Sequence, residues 1–320
     1  MNDTSSIDPK SREMMLLSGT ANRPLAERIA EKLGVELCGV TIKRFADGEI
    51  FVRIDENVRG RDAFIIQPTG APAENIIELL LLIDAAKRAS AARVTAVVPY
   101  FGYGRQDRKD QPRVAIGAKL MANLIDTAGA DRLVSVDFHQ HQIQAFFDIP
   151  VDHLYALPVF VDHYSKCDLA PLAVVASDVG AAKMARGYAR RLGGEIAMID
   201  KRRPAHNVAE VVNVVGDVEG KNCLIPDDMI DTGGTMAEAV KAIKEHGARE
   251  IYVCASHPLL SGPAVERLSQ LPVKEVAVTD TVSLPEAKKW PQLRVLSVDS
   301  LLARAIRYIH DNESVSSLFD

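Results

Sequence analysis

Short β-branched and apolar runs recur along the whole chain, each followed by a longer stretch whose apolar positions have helical spacing. The runs Met14–Leu17, Phe64–Gln67, Val94–Val98, Leu133–Val136, Ala173–Ala176, Ile196–Ile199, Cys223–Ile225, Ile251–Cys254, Val276–Val278 and Val295–Val298 predict strands. Most are apolar at odd and even positions alike, the pattern of a strand buried on both faces. Between them lie predicted helices. Ala21–Leu33 has Pro24 in its first turn and Gly34 after its end. Ala73–Ala89 is longer, and Gly234–His246 stops before Gly247, a favourable terminator. This alternation predicts an α/β protein with mostly parallel sheets flanked by helices.

A length of 320 residues fits about two domains. Two segments also look alike. Phe64–Pro68 leads through a loop and helix to Ala92-Arg93-Val94, and Cys223–Asp228 leads through a loop and helix to Ala248-Arg249-Glu250-Ile251. One supersecondary unit occurring once in each half accounts for this. Any two strand–helix–strand units share such features, so the pattern alone does not separate duplication from coincidence. Pro150, Pro158 and Pro171 break the periodicity where the halves would join.

Charge narrows the function classes. Lys and Arg total 38 against 43 Asp and Glu, a net charge of −5, which argues against a nucleic-acid-coating protein. Aromatics at 5% are too few for a stacking platform along single strands. Cys38, Cys167, Cys223 and Cys254 are far apart and form no CxxC pair, which argues against zinc and disulfide frameworks and fits a reducing compartment. The start, MNDTSSIDPKSRE, has no apolar signal region. The richest apolar run, Ile76–Ile83, is interrupted by Glu78 and is shorter than a membrane span. The expectation is a cytoplasmic protein with no nucleic-acid or membrane partner.

Six loops carry candidate chemistry. Asp227-Asp228-Met229-Ile230-Asp231-Thr232-Gly233-Gly234-Thr235 follows a strand and opens a helix. Backbone N–H groups at a helix start, approached closely through glycines, cradle phosphate. The two acids would repel a phosphate but suit sugar hydroxyls or a hydrated cation. Phosphate at one end and a diol at the other describe ribose 5-phosphate; acidic capping of the helix is the plainer alternative. Pro99–Lys109 (PYFGYGRQDRK) runs from an aromatic and glycine cluster into Arg105 and Gln106, able to hold polyphosphate and a base edge, or else a solvated loop. Phe45–Ile50 (FADGEI) alone reads as a turn with an acidic tip. Asp137-Phe138-His139-Gln140-His141 offers a possible metal or phosphate contact. Ser177-Asp178-Val179-Gly180 ends a strand where α/β sheets bind ligands. Asp200-Lys201-Arg202-Arg203-Pro204 gathers cations that suit developing polyphosphate charge, though such a run is commonly a solvated face.

Together and in this order, these segments, with NRPLAERIA at 22–30, QIQAFFDIPVDHLY at 142–155 and SGPAVERL at 261–268, resemble the ribose-phosphate pyrophosphokinase family over about Met14 to Ser314. The resemblance implies two tandem type I phosphoribosyltransferase-like domains: a disordered tail over 1–13, a nucleotide-side domain over 14–156 without the acidic loop, and a ribose 5-phosphate domain over 157–320 whose last helix is able to pack on the first. It implies transfer of the β,γ-diphosphoryl group of ATP to the C1 hydroxyl of ribose 5-phosphate, with Mg²⁺ as cofactor. Phe45, Asp47 and Glu49 would contact adenine from a neighbouring subunit of a homo-oligomer, a hexamer. Arg105, Gln106, Asp110 and His139 would hold ATP, and His139 and Asp178 the metal. Lys201 and Arg203 would be catalytic. Asp227, Asp228, Asp231, Thr232, Gly233, Gly234 and Thr235 would bind ribose 5-phosphate.

Departures from the family pattern carry expectations of their own. Gly102-Tyr103-Gly104 replaces Ala-x-Ala and should loosen its loop. Gly180-Ala181 adds a methyl where a second glycine is usual, and Pro226 replaces a β-branched residue. Pro112, Gly117 and His141 stand at regulatory positions of phosphate-activated members, which puts phosphate activation and ADP inhibition in doubt. Two other readings are a non-catalytic partner of a synthetase and a phosphoribosyltransferase. Partners tend to lose the catalytic or acidic loop, both kept here; a phosphoribosyltransferase would need neither FADGEI nor RQDRK.

Overall fold

The computed structural model describes residues 13–202 and 211–318. Strands apolar on both parities are indeed sandwiched. Two compact units result: one runs to Tyr155 and includes the residues from Val298 on, and the other spans Ala156–Ser297.

In the first unit, β1 (Met14–Ser18) leads to α1 (Arg23–Leu33), a hairpin of β2 (Val40–Arg44) and β3 (Ile50–Ile54), then β4 (Asp62–Ile66), α2 (Glu74–Arg88), β5 (Arg93–Val98), α3 (Gly117–Ala128), β6 (Arg132–Val136) and β7 (Val151–Leu154). The order β1-β4-β5-β6-β7 is parallel throughout. Every residue of β4 is buried. Leu79, Leu82 and Ile83 of α2 and Ala118, Ala122 and Ile125 of α3 pack on one face of this sheet. Glu13, placed in the tail by its sequence, is ordered: its carbonyl accepts from Asp62 N–H at 3.0 Å and its carboxylate pairs with Arg61. The rest of the tail, 1–12, lies outside the described residues.

The second unit holds α4 (Leu157–Tyr164), β8 (Leu172–Ala176), α5 (Ala182–Leu192), β9 (Glu195–Arg202), β10 (Val211–Val215), β11 (Asn222–Ile230), α6 (Gly234–Glu245), β12 (Ile251–Pro258), α7 (Ala264–Ser269), β13 (Glu275–Thr279) and β14 (Leu293–Leu296). Its order is β10-β9-β8-β11-β12-β13-β14, with only β10 antiparallel. From β8 the chain moves outward to β9, and from β11 it moves the other way to β12. The carboxyl ends of β8 and β11 therefore flank a topological switch point, the place where open α/β sheets bind ligands. The last helix, α8 (Asp299–His310), packs on α1 in the first unit.

No helix among the described residues is long and apolar enough to cross a membrane.

Candidate active site

β11 runs on past its neighbour. Its pairing with β8 stops at Leu224, while pairing with β12 continues to Ile230. Cys223 N–H bonds toward β12 and Asn222 N–H toward β8, so even-numbered residues face β8. Pro226, which has no N–H, faces β8 where the ladder has already ended, and proline is tolerated there. The one-sided extension carries Asp227 and Asp228 to the switch point. Enclosure by protein pushes the Asp227 carboxyl well above the usual range, and the charges of Asp228 and then Asp178 push it further. Asp228 N–H donates to Asp227 Oδ1 at 2.8 Å.

Gly233 follows at φ 71°, ψ 8°, a left-handed conformation that suits glycine, and α6 starts at Gly234 without a side-chain cap and without an acid in its first turn. The N–H groups of that turn are oriented for an anion. Thr232 and Thr235 are exposed on the same loop. Across the switch point, Asp178 Oδ1 accepts from Ala181 N–H at 2.9 Å, which fixes the carboxylate at the start of α5 and leaves its second oxygen available.

The corresponding turn in the first unit, after β4, is filled by its own side chains. Gln67 Nε2 donates to Glu78 Oε1 at 2.9 Å and Gln67 Oε1 accepts from Ala21 N–H at 3.1 Å. Gly102 N–H donates to Thr69 Oγ1 at 2.8 Å, and a Cβ on Gly102 would stand 2.1 Å from the Thr69 carbonyl oxygen. The loop expected to be loosened by glycine is thus pinned, because only glycine permits this approach.

Beyond it, Arg105, Gln106 and Asp110 are exposed. Their segment is tied to α3 by Ala118 N–H on Gln106 O at 3.1 Å, and to the next loop by Gln142 Nε2 on Asp107 Oδ2 at 3.2 Å. A Cβ on Gly104 would lie 3.8 Å from His139 Cβ, so the arginine and histidine loops meet. The histidine loop turns sharply at Asp137, φ 39°. Buried His153 of β7 accepts from Phe138 N–H at 3.0 Å through Nε2. His153 enters the sequence motifs only within the segment at 142–155, with no role of its own.

Phe45–Ile50 forms the tip of the β2–β3 hairpin. Phe45 is 50% exposed, an Asx turn closes from Glu49 N–H to Asp47 Oδ1 at 3.0 Å, and Phe51 supports the Phe45 ring edge-on at 5.7 Å. Lys201 sits on β9, its backbone opposite Val212. Its side chain and the whole of Arg203 lie outside the described residues.

Two mostly parallel α/β sheets, one bearing an acid pair and a phosphate-type loop at its switch point, define a phosphoribosyltransferase-like protein. Residues 14–129 match the N-terminal domain of ribose phosphate pyrophosphokinase, and residues 204–320 match the phosphoribosyl synthetase-associated domain. A ribose-phosphate pyrophosphokinase of Chlorobaculum tepidum is 54% identical over 95% of this chain and 94% of its own. Ribose-phosphate pyrophosphokinase 1 of Listeria monocytogenes is 50% identical over 98% of each chain. The crystal structure of phosphoribosylpyrophosphate synthetase from Mycobacterium smegmatis superposes with a TM-score of 0.88 at 46% identity, covering 94% of this chain and 100% of that one. The chain belongs to the ribose-phosphate pyrophosphokinase family.

Proposed function

We propose that the chain transfers the β,γ-diphosphoryl group of ATP to the C1 hydroxyl of ribose 5-phosphate, and that the segment from Asp227 to Thr235 seats the sugar phosphate. One observation supports this seat above the rest. Two adjacent acids on the overhanging end of β11, at a switch point, are followed one turn later by a helix start with no side-chain cap. Asp227 and Asp228 accept from the ribose hydroxyls. Asp231, Thr232, Gly233, Gly234 and Thr235 complete the ribose 5-phosphate site.

Phe45 offers its exposed face to adenine, with Asp47 and Glu49 at the same tip, and the hairpin of a neighbouring subunit in a homo-oligomer, a hexamer, supplies them. Arg105, Gln106, Asp110 and His139 hold the nucleotide. The ribose O1–Pβ bond forms as the Pβ–oxygen bond to the α-phosphate breaks; the electron pair leaves with AMP, and the O1 proton is released. Lys201 and Arg203 oppose the charge that grows on the transferred group and the leaving oxygen.

The donors fit a magnesium ion. Among the described residues no three His, Cys, Asp or Glu gather into a protein-only metal site. Asp178, one of whose oxygens lies beyond its bond to Ala181 N–H, would hold a cation that keeps its water, and His139 is proposed from its sequence motif as a further ligand. When bound, Mg²⁺ screens the phosphate charges. The enzyme acts in the cytoplasm.

The test is AMP formation from ATP, expected only with both ribose 5-phosphate and Mg²⁺ present. Asp227→Asn with Asp228→Asn should weaken ribose 5-phosphate in calorimetric titration far more than ATP. Equal weakening of both would refute the seat.

A further inference from the structure

The Ile230–Gly233 turn is held from behind. Three consecutive carbonyls each meet a donor from the corner after β12 or from α7. Leu260 N–H donates to Ile230 O at 3.0 Å, Ser261 N–H to Asp231 O at 2.9 Å, and Arg267 Nη1 to Thr232 O at 2.7 Å. In a planar trans peptide the carbonyl of one residue and the N–H of the next point in opposite directions. Tying these carbonyls to the corner therefore turns the N–H groups of Asp231, Thr232 and Gly233 away from it.

The first two ties use main chain, which any residue supplies. The third is a side chain. Arg267 Nη1 also lies 3.4 Å from where a Cβ on Gly234 would stand, so the guanidinium rests against the glycine pair. Leu268 fills the space below, 3.2 Å from an equivalent Cβ on Gly233.

We infer that Arg267 is a positioning residue for the sugar-phosphate site: its hydrogen bond to the Thr232 carbonyl aims the Gly233 N–H at the 5-phosphate. The inference rests on the reading of this loop as the phosphate seat. A charge-assisted bond fixes the one peptide plane that, at a left-handed glycine, has the most freedom to rotate. The cation behind the loop also favours a dianion in front of it.

Steady-state kinetics on Arg267→Ala, Arg267→Lys and Thr235→Val tests this, with circular dichroism and melting to establish folding. Arg267→Ala should raise the KM for ribose 5-phosphate roughly tenfold, the scale of one hydrogen bond to a charged group. The KM for ATP should stay within about twofold and kcat within about threefold, because the bond acts on ground state and transition state alike. Arg267→Lys should recover part of the loss by supplying one donor to Thr232 O. An unchanged KM for ribose 5-phosphate in Arg267→Ala, or an equal rise in both KM values, would overturn the role. Thr235→Val separates the two failures. If it raises the ribose 5-phosphate KM while Arg267→Ala does not, Arg267 alone is misassigned. If neither raises it, the phosphate seat and the role of Arg267 fall together.

Discussion

Asp227 carries opposing demands. Its carboxyl is held above the ordinary range first by enclosure and then by Asp228 and Asp178, so folding favours the protonated acid. The sign for stability follows. Above about pH 4 the unfolded chain releases this proton while the folded chain keeps it, so this residue's contribution to stability falls as pH rises, until the folded group also ionises. Asp227→Asn removes that dependence. The ligand-free variant should melt higher than the parent at pH 8, by at least about 2 °C, with a smaller gap at pH 5. Scanning calorimetry across this range checks it, and a gap that does not widen with pH contradicts it. Lys201 and Arg203 act at the other end of the chemistry. Lys201→Ala and Arg203→Ala should each lower kcat about 10²–10³-fold with much smaller changes in either KM, because the charge they meet develops as the bond breaks. Retention of kcat within about threefold would remove the residue from the mechanism.

Among the elements, the β2–β3 hairpin forms a sheet of its own and holds Phe45 half exposed on a tight turn. Phe45→Ala should raise the KM for ATP by roughly 5–150-fold, the worth of one base stack, and leave that for ribose 5-phosphate nearly unchanged. Mixing this variant with Lys201→Ala should restore part of the activity if the hairpin serves a neighbour; no recovery after confirmed subunit exchange rules out sharing. At the start of β4, α8 is fastened by a buried acid. Asp62 accepts from Arg93 Nε at 2.8 Å and from His310 Nδ1 at 2.8 Å, while Arg93 Nη2 donates to Ile309 O at 2.8 Å. His310→Ala should cost about 1–3 kcal/mol in urea unfolding, since Asp62 loses one donor but keeps Arg93. A loss below about 0.5 kcal/mol would make the histidine incidental.

For the whole molecule, control turns on Pro112, Gly117 and His141. Gly117 opens α3 with the Gln106 side chain against it, where a Cβ would meet Gln106 Oε1 at 2.5 Å. Pro112 offers no N–H, and the His141 ring packs tilted against His153 and edge-on against Tyr155, at 5.2 and 5.7 Å. Activity across a phosphate series at constant ionic strength should show weak activation or none. A steep requirement for millimolar phosphate would show that other groups serve.

The two kinds of sheet strand differ in how far the sequence spoke for them. Uniformly apolar runs such as Phe64–Ile66 and Ala173–Ala176 declare themselves, because burial on both faces leaves no room for polar residues. The α/β class follows from them, as does the family from its motifs. β2, β3, β7 and β10 did not appear. The hairpin strands are half exposed and lack a clean period. In β7, Asp152 and His153 look unfit for a core until Arg132 and Phe138 N–H satisfy them. β11 looked finished at Ile225, because proline followed by two acids reads as a turn; its continuation to Ile230 rests on β12 alone. The acid pair and TGGT loop were legible as chemistry, since residue types and adjacency are local. What aims them was not. The corner that turns the loop's N–H groups forward, the filling of the equivalent turn in the first unit, and the company of Asp178 all join residues distant in sequence, and such pairings exist only once the chain has folded.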